Sequence, residues 1–180
     1  MRRGAIGKVV PGYIAKVVDD QGAEVPHGTV GKLAVMGPTG CKYLDDARQA
    51  NYVKDGWNYP GDAFVQDADG YFFYQARADD MIITSGYNVG GPEVEDALLK
   101  HPAVAECGVI GLPDEERGMI VKAFVVLRPG HEAGETLVKS LQDHVKATLA
   151  PFKYPRQVEF VGSLPRTETG KLQRFKLRQS

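Results

Sequence analysis

The stretch QARADDMIITSGYNVGGPEVE, residues 75–95, separates two parts of the sequence that differ in character. Short segments with many turn residues precede it, and helix-like segments alternate with strand-like segments after it. Residues 76–80 have small and charged side chains without apolar periodicity, which is typical of a connector between two folding units. The sequence therefore predicts a hinge over residues 76–80, between a first part over 1–75 and a second part over 81–180.

Local signals just after this connector indicate a strand, a break and a helix. Residues 81–83, Met-Ile-Ile, form a short apolar segment that predicts a strand, and Ser-Gly at 85–86 interrupts it. Pro92 follows two glycines, and proline is favoured at the first position of a helix. This succession of connector, strand, glycine turn and helix resembles the carboxy-terminal part of the acyl- and aryl-CoA synthetases, members of the adenylate-forming enzyme superfamily.

The composition is that of an ordinary globular protein with one domain or two small ones, since 43% of the 180 residues are hydrophobic and 25% are charged. The formal charge of −1 favours neither a nucleic-acid nor a membrane partner. Two distant cysteines, Cys41 and Cys107, give no disulfide framework and no metal-ligand cluster. No apolar segment has the length of a membrane span or of a secretory signal. We therefore expect a cytoplasmic protein.

The first part predicts a small β-subdomain. Its apolar segments are bounded by turn residues and predict strands over residues 13–18, 30–35, 63–65 and 71–74. The last two strands are expected to form a hairpin, because Asp-Ala-Asp-Gly at 67–70 is a turn sequence. Residues 43–54 predict a short helix with polar faces.

The second part predicts a compact α+β domain in which helices pack on a three-stranded sheet. Helical periodicity and end signals predict helices over residues 92–100, 135–149 and 172–178. Apolar segments predict strands over residues 104–110, 120–127 and 157–161.

Lys171 is the candidate catalytic residue. It follows Gly170, but Leu172 replaces the Ser or Thr of a nucleotide phosphate loop, so that motif is excluded. Pro165, Thr167, Gly170 and Lys171 match the Pro-x-Thr-x-x-Gly-Lys motif of adenylate-forming enzymes. The resemblance implies that Lys171 contacts both the attacking carboxylate and the α-phosphate of ATP, where an ammonium offsets repulsion between two anions. The alternative is a solvated lysine in a basic tail.

Asp62 and Arg77 are candidate nucleotide-binding residues. Gly61-Asp62 alone is a common turn, but by resemblance Asp62 matches an aspartate that accepts hydrogen bonds from both ribose hydroxyls of ATP. Tyr59-Pro60 precedes it, whereas many relatives carry threonine immediately before the glycine. Arg77 lies in a Gly-Arg-x-Asp-Asp pattern in which Ala76 replaces the glycine, and the resemblance implies that Arg77 binds ribose or phosphate.

Asp79 and Gly86 complete the candidate set. By resemblance, Asp79 is the pivot about which the last domain rotates between adenylation and thioester formation. The alternative is that Arg77 and Asp79 form a surface ion pair. The resemblance also implies that Gly86 lines the passage for the pantetheine arm of CoA, where a side chain would block close approach. Gly86 equally suits a turn that needs a positive φ angle, and both roles are compatible.

The resemblance rests on several short motifs that occur together and in the family's order, because each motif alone has a common structural explanation. The matching segments are Gly61-Asp62, Arg77-x-Asp79-Asp80, Ser85-Gly86, residues 92–95, residues 101–104 and residues 165–171. Many relatives carry lysine at the position of Ile83 and arginine at that of Asn88. Their absence makes the chain most similar to benzoate and 2-aminobenzoate ligases.

The resemblance implies a longer enzyme with ATP, Mg²⁺ and coenzyme A as cofactors and a small-molecule carboxylic acid as substrate. The sequence contains no Ser/Thr/Gly-rich phosphate loop and no carboxylate pocket, so we expect a missing amino-terminal body domain and no adenylation by these residues alone. One alternative is an adenylation domain that loads a carrier protein. Another is a stand-alone binding or regulatory module.

Other apparent signals fail. Residues 67–70 begin like a calcium loop, but the glycine comes too early and no glutamate closes it. The four histidines are scattered, so we expect no metal site. The basic end of the chain lacks interleaved aromatic residues, so a nucleic-acid partner is not expected.

Overall fold

The protein's structure is a computed structural model that describes residues 2–40 and 49–179. The chain forms two compact units, Met1–Asp79 and Asp80–Ser180. Among the described residues, no helix is long and apolar enough to cross a membrane.

The first unit is built on a six-stranded sheet in the order β3-β4-β2-β5-β6, with β1 also paired to β2. All of these pairs are antiparallel. The strands are β1 (Ile14–Val18), β2 (Val30–Met36), β3 (Val53–Lys54), β4 (Trp57–Asn58), β5 (Asp62–Gln66) and β6 (Phe72–Arg77). Val17, Phe64 and Phe72 form its buried apolar cluster.

The four strands predicted for this part are therefore confirmed, but two other predictions need correction. Of the predicted helix over 43–54, residues 43–48 lie outside the described part of the chain, and only α1 (Gln49–Tyr52) is helical. Val53–Lys54 is strand instead, because it pairs with β4 across the turn at Asp55-Gly56. The predicted connector also begins within a strand, since β6 continues to Arg77 before a short 3-10 helix over Ala78–Asp80.

The second unit has a five-stranded sheet in the order β11-β10-β7-β8, with β9 also paired to β10. Its strands are β7 (Ile82–Thr84), β8 (Tyr87–Val89), β9 (Val104–Asp114), β10 (Gly118–Leu127) and β11 (Gln157–Phe160). Its helices are α2 (Gly91–Leu98), α3 (Glu135–Thr148) and α4 (Arg174–Leu177). The α+β class is confirmed.

The predicted count of three strands is wrong, because β7 and β8 add a small hairpin to the same sheet. The segment predicted as a strand at 81–83 pairs with β8 and, through Thr84, with Gly118 of β10. The three predicted strands are present as β9, β10 and β11, and β11 runs parallel to β10. A three-residue strand such as β8 has too short a pattern to be recognised before its pairing partner is known.

Both faces of this sheet are covered, and alternate residues of β9 supply the two cores. Cys107 and Val109 belong to the cluster that contains α2 and α3. Ile110 belongs to a second cluster with Phe124, Leu164 and Leu177, which ties the end of the chain to the other face. Successive side chains of a strand point to opposite faces, so one strand positions both the helices and the tail.

His101, just after α2, makes two hydrogen bonds that suit a neutral imidazole. Its Nδ1 accepts the Ala103 N–H at 3.2 Å, so its Nε2–H donates to Ser140 Oγ at 3.2 Å. The His144 ring lies 5.3 Å away and nearly perpendicular. Burial, followed by the charges of His144 and His131, lowers the pKa of His101 below its usual 6.5.

We predict that the second unit loses stability as pH falls below about 6.5, the ordinary histidine pKa. Because the folded state has the lower His101 pKa, the unfolded state binds more protons there, and stability declines down to the folded pKa. Urea unfolding between pH 7.5 and 5 measures this slope. His101→Asn keeps an acceptor for Ala103 N–H and should flatten it. Equal slopes for both proteins would contradict the assignment.

Candidate functional site

Asp62 and Arg77 lie together because they form a cross-strand pair of β5 and β6. Arg77 Nη1 lies 3.5 Å from Asp62 Oδ1 and donates to the Pro60 carbonyl at 3.3 Å. About a quarter of the Asp62 side chain and nearly half of the Arg77 side chain are exposed. The pair thus presents a carboxylate and a guanidinium side by side at the surface of the first unit.

Gly61 makes this arrangement possible. Its φ angle is +82°, and a Cβ atom at this position would lie 3.0 Å from Arg77 Nη2. The Gly61 carbonyl also accepts the Ala78 N–H at 2.9 Å, which closes the turn onto the end of β6. The positive φ angle therefore favours glycine here, and a Cβ atom would in addition press on the Arg77 guanidinium.

Asp79 lies beside the same guanidinium. Arg77 Nε is 3.7 Å from Asp79 Oδ1, and the Asp79 side chain is largely exposed. The surface ion pair that the sequence left open as an alternative is thus present. It is an exposed pair and contributes little to stability, so its geometry is compatible with a segment that moves.

An open pocket of about 680 Å³ adjoins Arg77 and Asp79 in the first unit. Trp57 and Tyr59 provide aromatic walls, and Lys16 places its ammonium 4.4 Å from the centre of the Trp57 ring. Sequence reasoning did not place the aromatic residues Trp57 and Tyr59 in the candidate site. It missed Lys16, which lies 41 positions away and gives no local signal.

Gly86 lies in the second unit, at the turn of the β7–β8 hairpin. Ser85 and Gly86 have φ angles of +49° and +81°, and Thr84 pairs directly with Tyr87. These angles are those of a type I′ turn. A Cβ atom on Gly86 would meet no atom of the described residues within 4 Å, so the space beside this glycine is open in the part of the chain that the structure describes.

Arg117 supports this turn and was missed by sequence reasoning. Its carbonyl accepts the Ser85 N–H at 2.8 Å, and its Nη1 donates to Ser85 Oγ at 3.0 Å. It precedes β10, which is remote from the turn in sequence. Two hydrogen bonds between Ser85 and Arg117 therefore hold the turn.

Lys171 closes a compact loop. Thr167 N–H donates to the Lys171 carbonyl at 2.9 Å, and Thr167 Oγ1 accepts the Lys171 N–H at 3.0 Å. Gly170 N–H donates to the Thr167 carbonyl at 2.9 Å. The threonine of the motif therefore organises the backbone on which the lysine stands.

The Lys171 side chain is exposed, and within the described part of the chain no hydrogen bond or ion pair engages its ammonium group. Its neighbours Leu164 and Leu172 pack in the apolar cluster on the sheet face, so the loop has a fixed base. The structure thus presents a free cation on an anchored backbone.

The structure brings three of the five candidates, Asp62, Arg77 and Asp79, together in the first unit. Gly86 and Lys171 belong to the second unit, where they lie on different elements. Within the described ranges, no three His, Cys, Asp or Glu residues are grouped so that they could hold a metal ion.

Comparison with known proteins gives consistent matches. The family model described as AMP-binding enzyme C-terminal domain matches residues 93–171. Over 99% of its length the chain is 43% identical to an uncharacterized acyl-CoA ligase, YtcI, of Bacillus subtilis. Over 98% it is 44% identical to the benzoate–CoA ligase of Thauera aromatica. The crystal structure of the anthranilate CoA ligase AuaEII in complex with anthranoyl-AMP superposes with a TM-score of 0.86, at 42% identity over 99% of this chain.

The matched proteins are much longer than this chain. The chain spans 35% of the Bacillus subtilis ligase, 34% of the Thauera aromatica ligase and 35% of the anthranilate ligase chain. The similarity therefore concerns about a third of each relative.

We predict that Gly61→Ala lowers the free energy of unfolding by about 1–2 kcal/mol, because an L residue at positive φ costs that much. Gly70→Ala is the matched control: Gly70 has φ +81° in the same unit, but a Cβ atom there would meet nothing within 4 Å. Gly61→Ala should be the more costly change, and the excess should disappear in an Arg77→Ala background. Urea unfolding measures all four variants. Equal costs at both glycines would contradict the close approach of Arg77.

Proposed function

We propose that this chain, whose residues 93–171 form an AMP-binding enzyme C-terminal domain, is the carboxy-terminal part of an ATP-dependent acid–CoA ligase. In the first step a carboxylate attacks the α-phosphate of ATP, which gives an acyl-adenylate and pyrophosphate. In the second step the thiol of CoA displaces AMP and gives the thioester. We further propose an aromatic acid as the substrate, because the matched relatives include benzoate and anthranilate ligases.

The observation that carries this proposal is the exposed Lys171, whose ammonium has no partner among the described residues, on an anchored loop at the end of the matched family region. Attack of a carboxylate on a phosphate brings two anions together. An ammonium that contacts both groups offsets their repulsion and orients the attack. A lysine already paired within its own unit would be less able to do this.

Asp62 and Arg77 are proposed to bind the nucleotide. The partly exposed Asp62 carboxylate has the acceptor atoms that two ribose hydroxyls need, and the adjacent guanidinium suits an anionic phosphate. The open pocket with aromatic walls, which Arg77 lines, leaves room for a ligand of this size. These features support the assignment through donor chemistry and access.

Asp79 and Gly86 are proposed to serve the passage from the first step to the second. Asp79 lies at the boundary between the two compact units, where a change of backbone angles would rotate one against the other. Gly86 offers an unhindered backbone at a rigid turn, which suits close approach of the pantetheine arm. We propose that Mg²⁺ is held by the phosphates of ATP and by an amino-terminal body, and that the enzyme works in the cytoplasm.

We predict that Lys171→Ala in the longer ligase lowers the rate of acyl-adenylate formation by about 100-fold or more, since loss of one preorganised charge contact has such effects. Conversion of supplied acyl-adenylate to thioester should stay within about twofold of the parent, because the lysine acts in the first step only. Benzoate, 2-aminobenzoate and an aliphatic acid are tested with MgATP, and each half-reaction is scored separately. Lys176→Ala, an exposed lysine of the same tail, is the matched control and should leave both steps unchanged.

Three outcomes would contradict the proposal. If Lys171→Ala retains parental adenylation, the lysine is only a surface residue. If a phosphopantetheinyl carrier protein, and not free CoA, accepts the acyl group, the chain belongs to a carrier-loading enzyme. Residues 1–180 alone serve as a negative control, because we propose that the phosphate loop and acid pocket lie in the amino-terminal body. Adenylation by residues 1–180 alone would support a self-sufficient enzyme.

A further inference from the structure

Arg166 links the lysine loop to the sheet through one planar guanidinium. Its Nη1 donates to the Gly170 carbonyl at 2.8 Å. Its Nε and Nη2 donate to Glu106 Oε2 at 3.2 and 2.5 Å. The Gly170 carbonyl belongs to the peptide bond that joins Gly170 to Lys171, so the guanidinium holds the backbone directly before the lysine.

Glu106 provides a fixed reference point for this contact. It lies on β9, which pairs with β10 along almost its whole length. The loop is already held at its base by the packing of Leu164 and Leu172 and by the bridge between Arg166 and Leu172. Arg166 adds a third attachment, which links the far end of the loop at Gly170 to Glu106 on the sheet.

The pair contributes little to the stability of the fold. The side chains of Arg166 and Glu106 are 42% and 48% exposed, and exposed ion pairs typically contribute between 0 and about 1 kcal/mol. The ion pair between Arg174 and Glu95 is more buried, since these side chains are only 20% and 14% exposed. The Glu95 carboxylate also accepts the Val109 N–H. The Arg174–Glu95 pair therefore belongs to the core, whereas the Arg166–Glu106 pair belongs to the loop.

We propose that Arg166 and Glu106 are positioning residues for Lys171, a role that rests on the proposed function of the loop. A guanidinium is a rigid fork, so it can hold the Gly170 carbonyl and the Glu106 carboxylate at once. Without it, the peptide bond before Lys171 gains freedom. The ammonium then spends less time where a carboxylate and a phosphate meet, and displacements of about 1 Å can cost about 100-fold in rate.

We predict that Arg166→Ala and Glu106→Ala in the longer ligase each lower the rate of acyl-adenylate formation by about 10- to 100-fold. Thioester formation from supplied acyl-adenylate should stay within about twofold, which a general loss of folding would not allow. The matched control is the exposed pair Asp143 and Lys146 on α3, whose alanine substitutions should change neither step. Parental adenylation rates in both Arg166→Ala and Glu106→Ala would overturn the proposal.

The double variant distinguishes positioning from direct contact with a substrate. If the two residues act as one unit, Arg166→Ala with Glu106→Ala should be no slower than either single variant. If Arg166 instead binds a phosphate of ATP directly, Glu106→Ala should have little effect on its own, and the proposal fails.

Two conservative variants sharpen the test. Glu106→Gln keeps an acceptor oxygen and should retain most of the adenylation rate. Arg166→Lys keeps the charge, but one ammonium lacks the fork that spans Gly170 and Glu106, so its rate should lie between those of the parent and Arg166→Ala. Full activity of Arg166→Lys would show that charge alone matters and would contradict the fork.

Hydrogen exchange in the 180-residue chain tests the clamp without any assay of activity. The Lys171 amide, which donates to Thr167 Oγ1, should exchange at least about 10-fold faster in Arg166→Ala, a change of about 1.4 kcal/mol in local opening. The Val109 amide, held by Glu95, is the internal control and should not change. Unchanged Lys171 exchange overturns the clamp. Faster exchange with parental adenylation in Lys171→Ala upholds the clamp and instead refutes the proposed function of the loop.

Discussion

The antiparallel pairing of β9 with β10 is the interaction on which the second unit depends. Along this ladder Val109 lies opposite Ala123 and Ile110 opposite Lys122. Side chains of alternate residues enter the helix core on one face and the tail cluster on the other. A slip of one residue would exchange the two faces, so burial on both sides fixes the register. The sheet therefore fixes where α2 and the lysine loop stand relative to each other.

Glu95 connects these two faces. It lies on α2, accepts the Val109 N–H of β9 and binds Arg174 through both carboxylate oxygens at 2.7 Å. Removal of one member would leave a poorly solvated charge, which is strongly destabilising in such pairs. Arg174 follows the loop by three residues, so the same contact also fixes the end of the loop segment. Arg166 and Arg174 are thus close in sequence, but their ion pairs with Glu106 and Glu95 differ in burial.

Sequence patterns predicted the elements whose signals are local. The strands at 104–110 and 120–127 are long apolar segments, yet β9 continues to Asp114 because pairing with β10 extends the ladder through Gly-Leu-Pro-Asp at 111–114, whose glycine and proline disfavour a strand. Val53–Lys54 became a strand for a similar reason, since its partner β4 outweighs the helical pattern before it. The candidate site residues Asp62, Arg77 and Lys171 were predicted from short motifs that occur in the same order as in the family. Arg166 carried no such signal, because its partner Glu106 is 60 positions away.

The proposed role of Lys171, to act on a ligand outside its own unit, favours an ammonium group that is not paired within that unit. The geometry around Lys171 is consistent with this role, because within residues 2–40 and 49–179 the hydrogen bonds to the residue use its backbone and leave the ammonium exposed. Neighbouring residues order the loop through hydrogen bonds: Thr167 accepts the Lys171 N–H, and Arg166 donates to the preceding carbonyl of Gly170. Thr167 and Arg166 therefore order the backbone of the loop, while the Lys171 side chain keeps its ammonium exposed. If the proposed roles hold, this division gives a physical reason for the contact between the lysine loop and Glu106, which lies on a strand far away in sequence.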